Sequence, residues 1–136
     1  MTTRSCPCGL PQSYDACCGR FLPQSRTGST GGTPIGAAAP TAEALMRSRY
    51  CAFVKGDVAY LTRTWHPRTR PARLDLDPGT RWTGLEILAT KDGSAFHTRG
   101  TVEFRASFRG CSLHEVSRFE RVDGAWVYVD GEFPEG

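Results

Sequence analysis

Four cysteines stand within the first eighteen residues, and they constrain this chain more than any other feature. Their spacing is Cys6-Pro-Cys8, eight further residues, and then Cys17-Cys18-Gly. Four thiols match the coordination number of tetrahedral zinc, and a site filled by four thiolates keeps no position open for catalysis. A segment this short buries little apolar surface, so a bound metal would supply most of the free energy that orders it. The spacing predicts a structural metal site with Cys6, Cys8, Cys17 and Cys18 as ligands.

Zn²⁺ is the expected ion, and iron is the alternative because it also accepts four thiolates. Free thiols and a redox disulfide are the other interpretations of the cluster. The residues before Cys6 include no apolar segment of the kind that begins a secretory signal. No stretch reaches the roughly 20 apolar residues of a membrane helix. We therefore expect a cytoplasmic protein without a membrane span, and in that compartment disulfides are rare.

The residues that follow the cysteines divide the chain. Residues 25–40 hold four Gly and two Pro and almost nothing to bury, which is typical of a flexible linker. We predict three parts: a zinc knuckle in residues 1–24, a flexible linker in 25–40 and a folded body in 41–136. A flexible segment of this length would span roughly 20–25 Å, which would let the knuckle reach past the body to a partner.

The body has a pattern of helices followed by strands. Thr41 is a good N-cap before apolar residues at helical spacing, and Gly56 is a stop signal. Asp57 can cap a second helix that ends at Pro67, and residues 68–80 are predicted as a loop. After this loop the period changes to two, which predicts strands at 82–90, 101–109, 112–122 and 125–130. The order predicts an α+β fold in which the helices pack on a curved antiparallel sheet and form a cone with a pocket at its open end.

Two parts of the chain resemble known families. The pattern Cys-x-Cys-x₈-Cys-Cys-Gly resembles the SEC-C motif, a metal knuckle also found at the C-terminus of the preprotein translocase ATPase SecA. The body resembles the YchJ-like family of small bacterial proteins through segments that include TAEALMRSRY (41–50), TWHP (64–67), GTVEF (100–104) and WVYVDG (126–131). The resemblance implies an NTF2-like body and zinc binding by the four cysteines, with iron in some knuckles of this kind. It implies no settled activity, and Leu10-Pro11 stands where many SEC-C knuckles carry Ser-Gly.

The candidates for chemistry in the cone are His66, Glu103, His114 and Asp130. His66 lies at the end of the predicted second helix, where it either lines a pocket as an acid or base or caps the last carbonyls. His114 can pair across the sheet with Asp130 or Glu103. In NTF2-like enzymes, which the body resembles, a His/Asp pair inside the cone often transfers protons.

Aromatic residues and a fifth cysteine belong to the same body. The alternation of the last strand places Trp126, Tyr128 and Asp130 on one face. Cys51 falls in the middle of the predicted first helix and is expected to be a small buried apolar side chain. The aromatic candidates for lining a pocket are Tyr50, Trp65, Trp82 and Tyr128.

Three functions fit these features. The favoured hypothesis is a non-catalytic adaptor whose knuckle contacts a protein partner and whose body holds a peptide, a small ligand or a second copy of itself in a homodimer. The resemblance to the SecA knuckle implies ribosomal or protein-export partners. One alternative is a small isomerase, dehydratase or hydrolase that acts in the cone. The other is RNA binding, which the modest net charge of +3 supports only weakly; the arginines concerned are Arg63, Arg68, Arg70, Arg73 and Arg81.

Overall fold

The computed structural model describes residues 6–14, 17–22, 39–72, 74, 81–108 and 110–133. After the cysteine segment come two helices, α1 (Ala42–Lys55) and α2 (Val58–Arg63). Four strands follow, β1 (Trp82–Asp92), β2 (Arg99–Phe108), β3 (Cys111–Val122) and β4 (Ala125–Glu132). They form one antiparallel sheet in the order β1-β2-β3-β4. The predicted α+β fold, with helices first and a meander of strands afterwards, is confirmed.

Short polar side chains and a glycine set the helix ends that the sequence predicts. The Thr41 side chain accepts a hydrogen bond from the Ala44 N–H at 3.0 Å and begins α1. Gly56 ends α1 in the left-handed conformation, with φ 72°, which glycine adopts without steric cost. Asp57 accepts a hydrogen bond from the Tyr60 N–H at 3.0 Å and begins α2. Gly56 and Asp57 together form the turn between the helices.

Helix α2 ends at Arg63, before the predicted end at Pro67, because the chain pairs with β4 there. The His66 N–H donates to the Tyr128 carbonyl at 2.7 Å, and the Tyr128 N–H donates to the Thr64 carbonyl at 2.7 Å. These bonds to a strand replace the helical ones. They also bring the Trp65 ring to 5.0 Å from the Tyr128 ring, measured between centroids.

Helix α1 is buried on two sides. Toward the sheet it presents Leu45, Met46 and Tyr50, which pack with buried side chains of β2, β3 and β4. On the other side it presents Cys51 and Ala52, which pack with α2 and with the N-terminal cysteines. The core therefore continues from the sheet through α1 to the cysteine segment.

A bulge in β4 changes which side chains face α1. Phe119 of β3 pairs with Tyr128, but the next residue of β3, Arg118, pairs with Asp130, so Val129 is skipped. An extra residue in one strand shifts the alternation of side chains beyond it. Tyr128 therefore points toward α1, and Asp130 points to the opposite face, which we call the outer face of the sheet. The prediction that Tyr128 and Asp130 share a face is wrong for this reason.

The predicted linker, residues 25–40, lies outside the described residues except at its last two positions. Ala39 packs against both sides of the core. The Pro40 carbonyl accepts a hydrogen bond from Trp126 Nε1 at 3.2 Å. In the parts of the chain that the structure describes, no helix has both the length and the apolar composition needed to cross a bilayer.

Candidate functional site

The four N-terminal cysteines form a compact sulfur cluster. The Sγ atoms of Cys6, Cys8, Cys17 and Cys18 all lie within 4.8 Å of one another, and the Cys8 and Cys17 sulfurs are 3.6 Å apart. Four sulfurs at about 2.3 Å from a tetrahedral ion lie about 3.8 Å from each other. All four side chains are buried, with at most 3% of each residue exposed. The number, type and spacing of these donors fit one tetrahedral metal ion.

Local backbone structure aims the four sulfurs at one point. The Cys6 N–H donates to the Gln12 carbonyl at 2.6 Å, which closes the first loop. A short 3-10 helix begins at Cys18, and Cys17 before it has an unusual backbone, with φ −120° and ψ −111°. That conformation lets two adjacent side chains face the same site. Gly19 is needed for close approach, since a Cβ there would lie 2.7 Å from the Tyr14 carbonyl oxygen.

The thiols of the cluster differ in pKa. Hydrogen bonds from Cys18 and Cys51 hold the pKa of the Cys8 thiol far below its usual range. Contacts with Cys51 and Cys8, together with burial, raise the pKa of Cys18, and burial raises the pKa of Cys17 to about 11. A divalent ion that binds all four sulfurs must displace the remaining protons, because only thiolates coordinate.

The knuckle lies against the body, whereas the sequence allowed it to extend away on its linker. The cysteines share one buried cluster with Ala52 of α1 and with Tyr60 and Leu61 of α2. Arg47 Nη1 donates to the Cys8 carbonyl at 2.7 Å. The Lys55 ammonium lies 4.2 Å from the centroid of the Tyr14 ring. These contacts make the cysteine cluster part of the core.

A second site lies between α1 and the inner face of the sheet. It is a cavity of about 90 Å³. Its lining combines apolar and polar side chains and consists of Met46, Arg49, Phe53, Trp65, Phe104, Glu115, Ser117 and Tyr128. Of the aromatic candidates, Trp65 and Tyr128 line this cavity. Tyr50 and Trp82 instead pack edge-to-face in the core, with ring centroids 6.1 Å apart.

Arg49 is the buried cation of this cavity, with 3% of its surface exposed. Its Nη1 donates to the Leu61 carbonyl at 2.9 Å and to Thr64 Oγ1 at 2.7 Å. The guanidinium carbon lies 4.7 Å from the Tyr128 ring centroid and 5.2 Å from that of Trp65. Burial lowers the pKa of Arg49 to about 10, so the group remains a cation at neutral pH.

Glu115 lies on the inner face of the sheet, which packs toward α1, and 8% of its surface is exposed. Its Oε2 accepts hydrogen bonds from Ser117 Oγ at 2.7 Å and from the Tyr128 hydroxyl at 3.1 Å. Burial and the charge of Glu115 raise the pKa of Tyr128, so the phenol stays protonated and donates. Trp65 Nε1 is buried and has no hydrogen-bond partner among the described residues. The lining of the cavity thus includes a cation and a carboxylate, and its residue Trp65 has a buried N–H without an acceptor among the described residues.

The predicted catalytic candidates lie elsewhere. His114 Nε2 is 2.6 Å from Glu103 Oε2, so these two residues do pair. They project from the outer face, however, because the buried residues of β2 and β3 are their neighbours in sequence. Asp130, also on the outer face, pairs with Arg118. The expectation that these three residues act inside the cone is wrong.

His66 lies beside the strand pairing that ends α2. Its Nδ1 accepts a hydrogen bond from the Arg68 N–H at 3.0 Å. Its Nε2 lies 3.8 Å from Glu120 Oε1. His66 does not line the cavity. Its imidazole instead accepts a hydrogen bond within the turn that follows α2.

Sequence reasoning missed the two charged residues of the cavity. Arg49 lies one helical turn from Leu45, Met46 and Phe53, so it is a charge within an apolar stripe. Glu115 shares the two-residue period of Phe119 on β3. Charged residues are rarely buried unless they are paired. A charged residue at a core-facing position therefore indicates a buried polar site, and the sequence shows this pattern at both positions.

Comparison with known proteins identifies the family. The model of the middle NTF2-like domain of YchJ matches residues 41–131. The chain belongs to the YchJ-like family. This YchJ-like chain is 75% identical over 133 residues to a UPF0225 protein of Streptomyces coelicolor, with 98% of each chain covered. It is 44% identical over 132 residues to a UPF0225 protein of Corynebacterium glutamicum, covering 95% of this chain and 97% of the relative.

Two solved structures share the fold. The solution structure of a SEC-C motif containing protein from Rhodopseudomonas palustris is 34% identical, with a TM-score of 0.77, and the match covers 97% of this chain and all of that one (100%). The crystal structure of a SEC-C motif containing protein from Psychrobacter arcticus is 26% identical, with a TM-score of 0.71, covering 98% and 84%. The likeness extends over the knuckle as well as the body, as the resemblance of the four-cysteine pattern implied.

Gly131→Ala is expected to disturb the cavity from the sheet side. A Cβ at Gly131 would overlap the Glu115 carboxylate, so that carboxylate must move away from Ser117 and Tyr128. Overpacking of this kind costs roughly 1–3 kcal/mol in the free energy of unfolding. The measurement is urea denaturation with Gly84→Ala as control, since a Cβ at Gly84 meets nothing within 4 Å. Equal stability of the two variants would contradict the placement of Glu115.

Proposed function

We propose that this YchJ-like protein is a zinc-binding, non-catalytic adaptor whose metal has a structural role. The observation that carries the proposal is the burial of all four sulfurs against α1 and α2. Zn²⁺ suits a closed set of four thiolates because it needs no redox change and has no geometric preference beyond its ligands. A site without an open position supplies structure rather than catalysis.

Zinc is expected at about one ion per chain in untagged protein purified without chelator, since four thiolates complete a single tetrahedral site. Elemental analysis with a thiol count measures this. Stripped and reloaded protein are then compared by urea denaturation: at free zinc one thousand times the dissociation constant, the gain in unfolding free energy is about 4 kcal/mol.

Cys18→Ser is expected to lose this zinc-dependent gain. Cys111→Ser is the matched control, because Cys111 is exposed and stands outside the cluster. Iron in place of zinc would correct the identity of the metal. Absence of any metal-dependent gain in the wild-type chain would contradict a structural metal site.

The partner of the adaptor would meet the exposed side of the knuckle. Pro11, Gln12 and Arg20 are exposed, while the cysteines beneath them are buried. Arg20 Nε donates to the Cys17 carbonyl at 2.8 Å, which holds the side chain across the end of the knuckle. The likeness of the knuckle to SEC-C proteins supports a protein partner, and the ribosome and export factors are the proposed candidates.

Co-sedimentation with purified ribosomes tests this partner. The Arg20→Glu variant is expected to co-sediment at least several-fold less than the wild type, because it reverses the charge of the exposed knuckle surface. Arg99→Glu is the control: its side chain is 82% exposed on the sheet, far from the cysteines in sequence. Both variants must retain zinc by elemental analysis. No co-sedimentation of the wild type, or equal loss in both variants, would refute the ribosome as partner.

The cavity supports a second role for the body, which is holding a small polar ligand. Its 90 Å³ corresponds to about three water molecules, which is enough for a small polar group. Trp65 Nε1 has no acceptor among the described residues, so a ligand could supply one. Glu115 could accept a hydrogen bond from a donor on the same ligand. A primary carboxamide group supplies both.

Acetamide is the probe for this role. In ¹⁵N-labelled protein, the indole N–H resonance of Trp65 is expected to shift on titration with acetamide and not with acetate, which brings no donor for Glu115. Trp65→Phe should lose saturable binding, and Trp82→Phe should keep it because Trp82 lies in the core. If the indole resonance shifts with neither acetamide nor acetate, the proposed ligand role of the cavity is refuted.

The two alternatives fare differently. Proton transfer in the cone by His114, Glu103 or Asp130 loses its geometric basis, since these residues face away from the cavity. RNA binding through the arginine-rich loop stays a prediction; Arg63 stacks on the Tyr60 ring and Arg70 donates to the Trp65 carbonyl. A second copy of the chain as partner also stays a prediction.

A further inference from the structure

Helix α1 brings a fifth cysteine to the sulfur cluster. Cys51 Sγ lies 3.4 Å from Cys6 Sγ, and no part of Cys51 is exposed. Cys51 also shares one buried cluster with Cys8, Cys17 and Cys18. The expected burial of Cys51 is confirmed, but its neighbours are metal-ligating sulfurs rather than only apolar groups.

The contact belongs to a stripe along α1 that faces the knuckle. Arg47, Cys51 and Lys55 are spaced by four residues, so they lie on one side of the helix. Arg47 bonds the Cys8 carbonyl, Cys51 contacts the Cys6 sulfur, and Lys55 lies over the Tyr14 ring. Three successive turns of α1 therefore each hold a different part of the knuckle. Cys51 is the one whose contact is with a sulfur.

A metal site of this kind gives Cys51 a defined chemical role. Four thiolates around a divalent ion carry a net charge of −2, and a buried charge needs hydrogen-bond donors around it. Once Cys6 coordinates as a thiolate, it has no proton to donate, so the hydrogen bond between the two sulfurs must run from Cys51 S–H to Cys6. Partners that donate to metal ligands orient them and tune the metal.

We propose that Cys51 is a positioning residue of the metal centre, whose S–H donates a hydrogen bond to the metal-bound Cys6 thiolate and joins the loaded knuckle to helix α1. This inference rests on the proposed metal binding. It goes beyond the four ligands, because the fifth thiol comes from the body, 45 residues away from Cys6 in sequence.

Cobalt-substituted protein tests the role of the thiol directly. Co²⁺ bound by thiolates absorbs light through sulfur-to-metal charge transfer, and a hydrogen bond to the sulfur lowers the energy of its lone pair. Cys51→Ala should therefore move this absorption to longer wavelength and weaken metal binding by about 10–100-fold. Cys51→Ser replaces the sulfur with a smaller oxygen but keeps an O–H donor, so its absorption should stay close to the wild type. Cys111→Ser, at an exposed cysteine, is the control for loss of a thiol.

The outcomes separate this proposal from the one beneath it. An unchanged absorption band and affinity in Cys51→Ala would overturn the role of Cys51 while leaving the metal site intact. Identical changes in Cys51→Ala and Cys51→Ser would reduce Cys51 to packing and overturn the proposal as well. A wild-type chain that binds neither cobalt nor zinc would refute the metal site itself.

Infrared spectroscopy of the zinc-loaded wild type needs no folded variant of Cys51. Two S–H stretching bands are expected, one from exposed Cys111 and one at lower frequency from hydrogen-bonded Cys51. Cys111→Ser should remove only the higher band. A single band that disappears in Cys111→Ser would show that Cys51 has no S–H and would overturn the proposed hydrogen bond.

Discussion

The burial of helix α1 between the sheet and the cysteine segment is the packing on which both candidate sites depend. A single helix of 14 residues supplies Leu45 and Met46 to one core and Cys51 to the other. A small body can bury only part of its apolar surface in one core. Attaching a four-thiol segment to the second side of α1 extends that core and keeps the segment in place. The cysteine cluster is in this sense a part of the fold rather than an appendage.

Helix α2 connects the cysteine cluster with the cavity. Tyr60 and Leu61 pack against the cysteines, and the Leu61 carbonyl and Thr64 hydroxyl hold the Arg49 guanidinium. Just beyond α2, Trp65 pairs with β4 and forms a wall of the cavity. A buried guanidinium is costly unless it is hydrogen-bonded and near opposite charge, and α2 supplies those acceptors. The segment that covers the cysteines therefore also fixes the cation of the cavity.

The sheet supplies the opposite charge through a local irregularity. The bulge at Val129 returns Gly131 to the inner face, where its missing side chain leaves room for the Glu115 carboxylate. The same bulge sends Asp130 outward to Arg118. One inserted residue thus decides which carboxylate lines the cavity together with Arg49. The Arg118–Asp130 pair is exposed and contributes little to stability.

The sequence by itself determined the helices, the strands and the set of four cysteines that cluster. Thr41, Gly56 and Asp57 act through bonds and backbone conformations of their immediate neighbours, so their roles follow from local chemistry. The spacing of the four cysteines likewise limits what they can bind. The tertiary structure decided the contacts that no local pattern encodes: the burial of Arg49, the outward placement of the His114–Glu103 pair, and the meeting of Cys51 with Cys6. Strand parity fails beyond a bulge, and contacts between distant segments depend on how helices and sheet pack, so only the assembled fold fixes them.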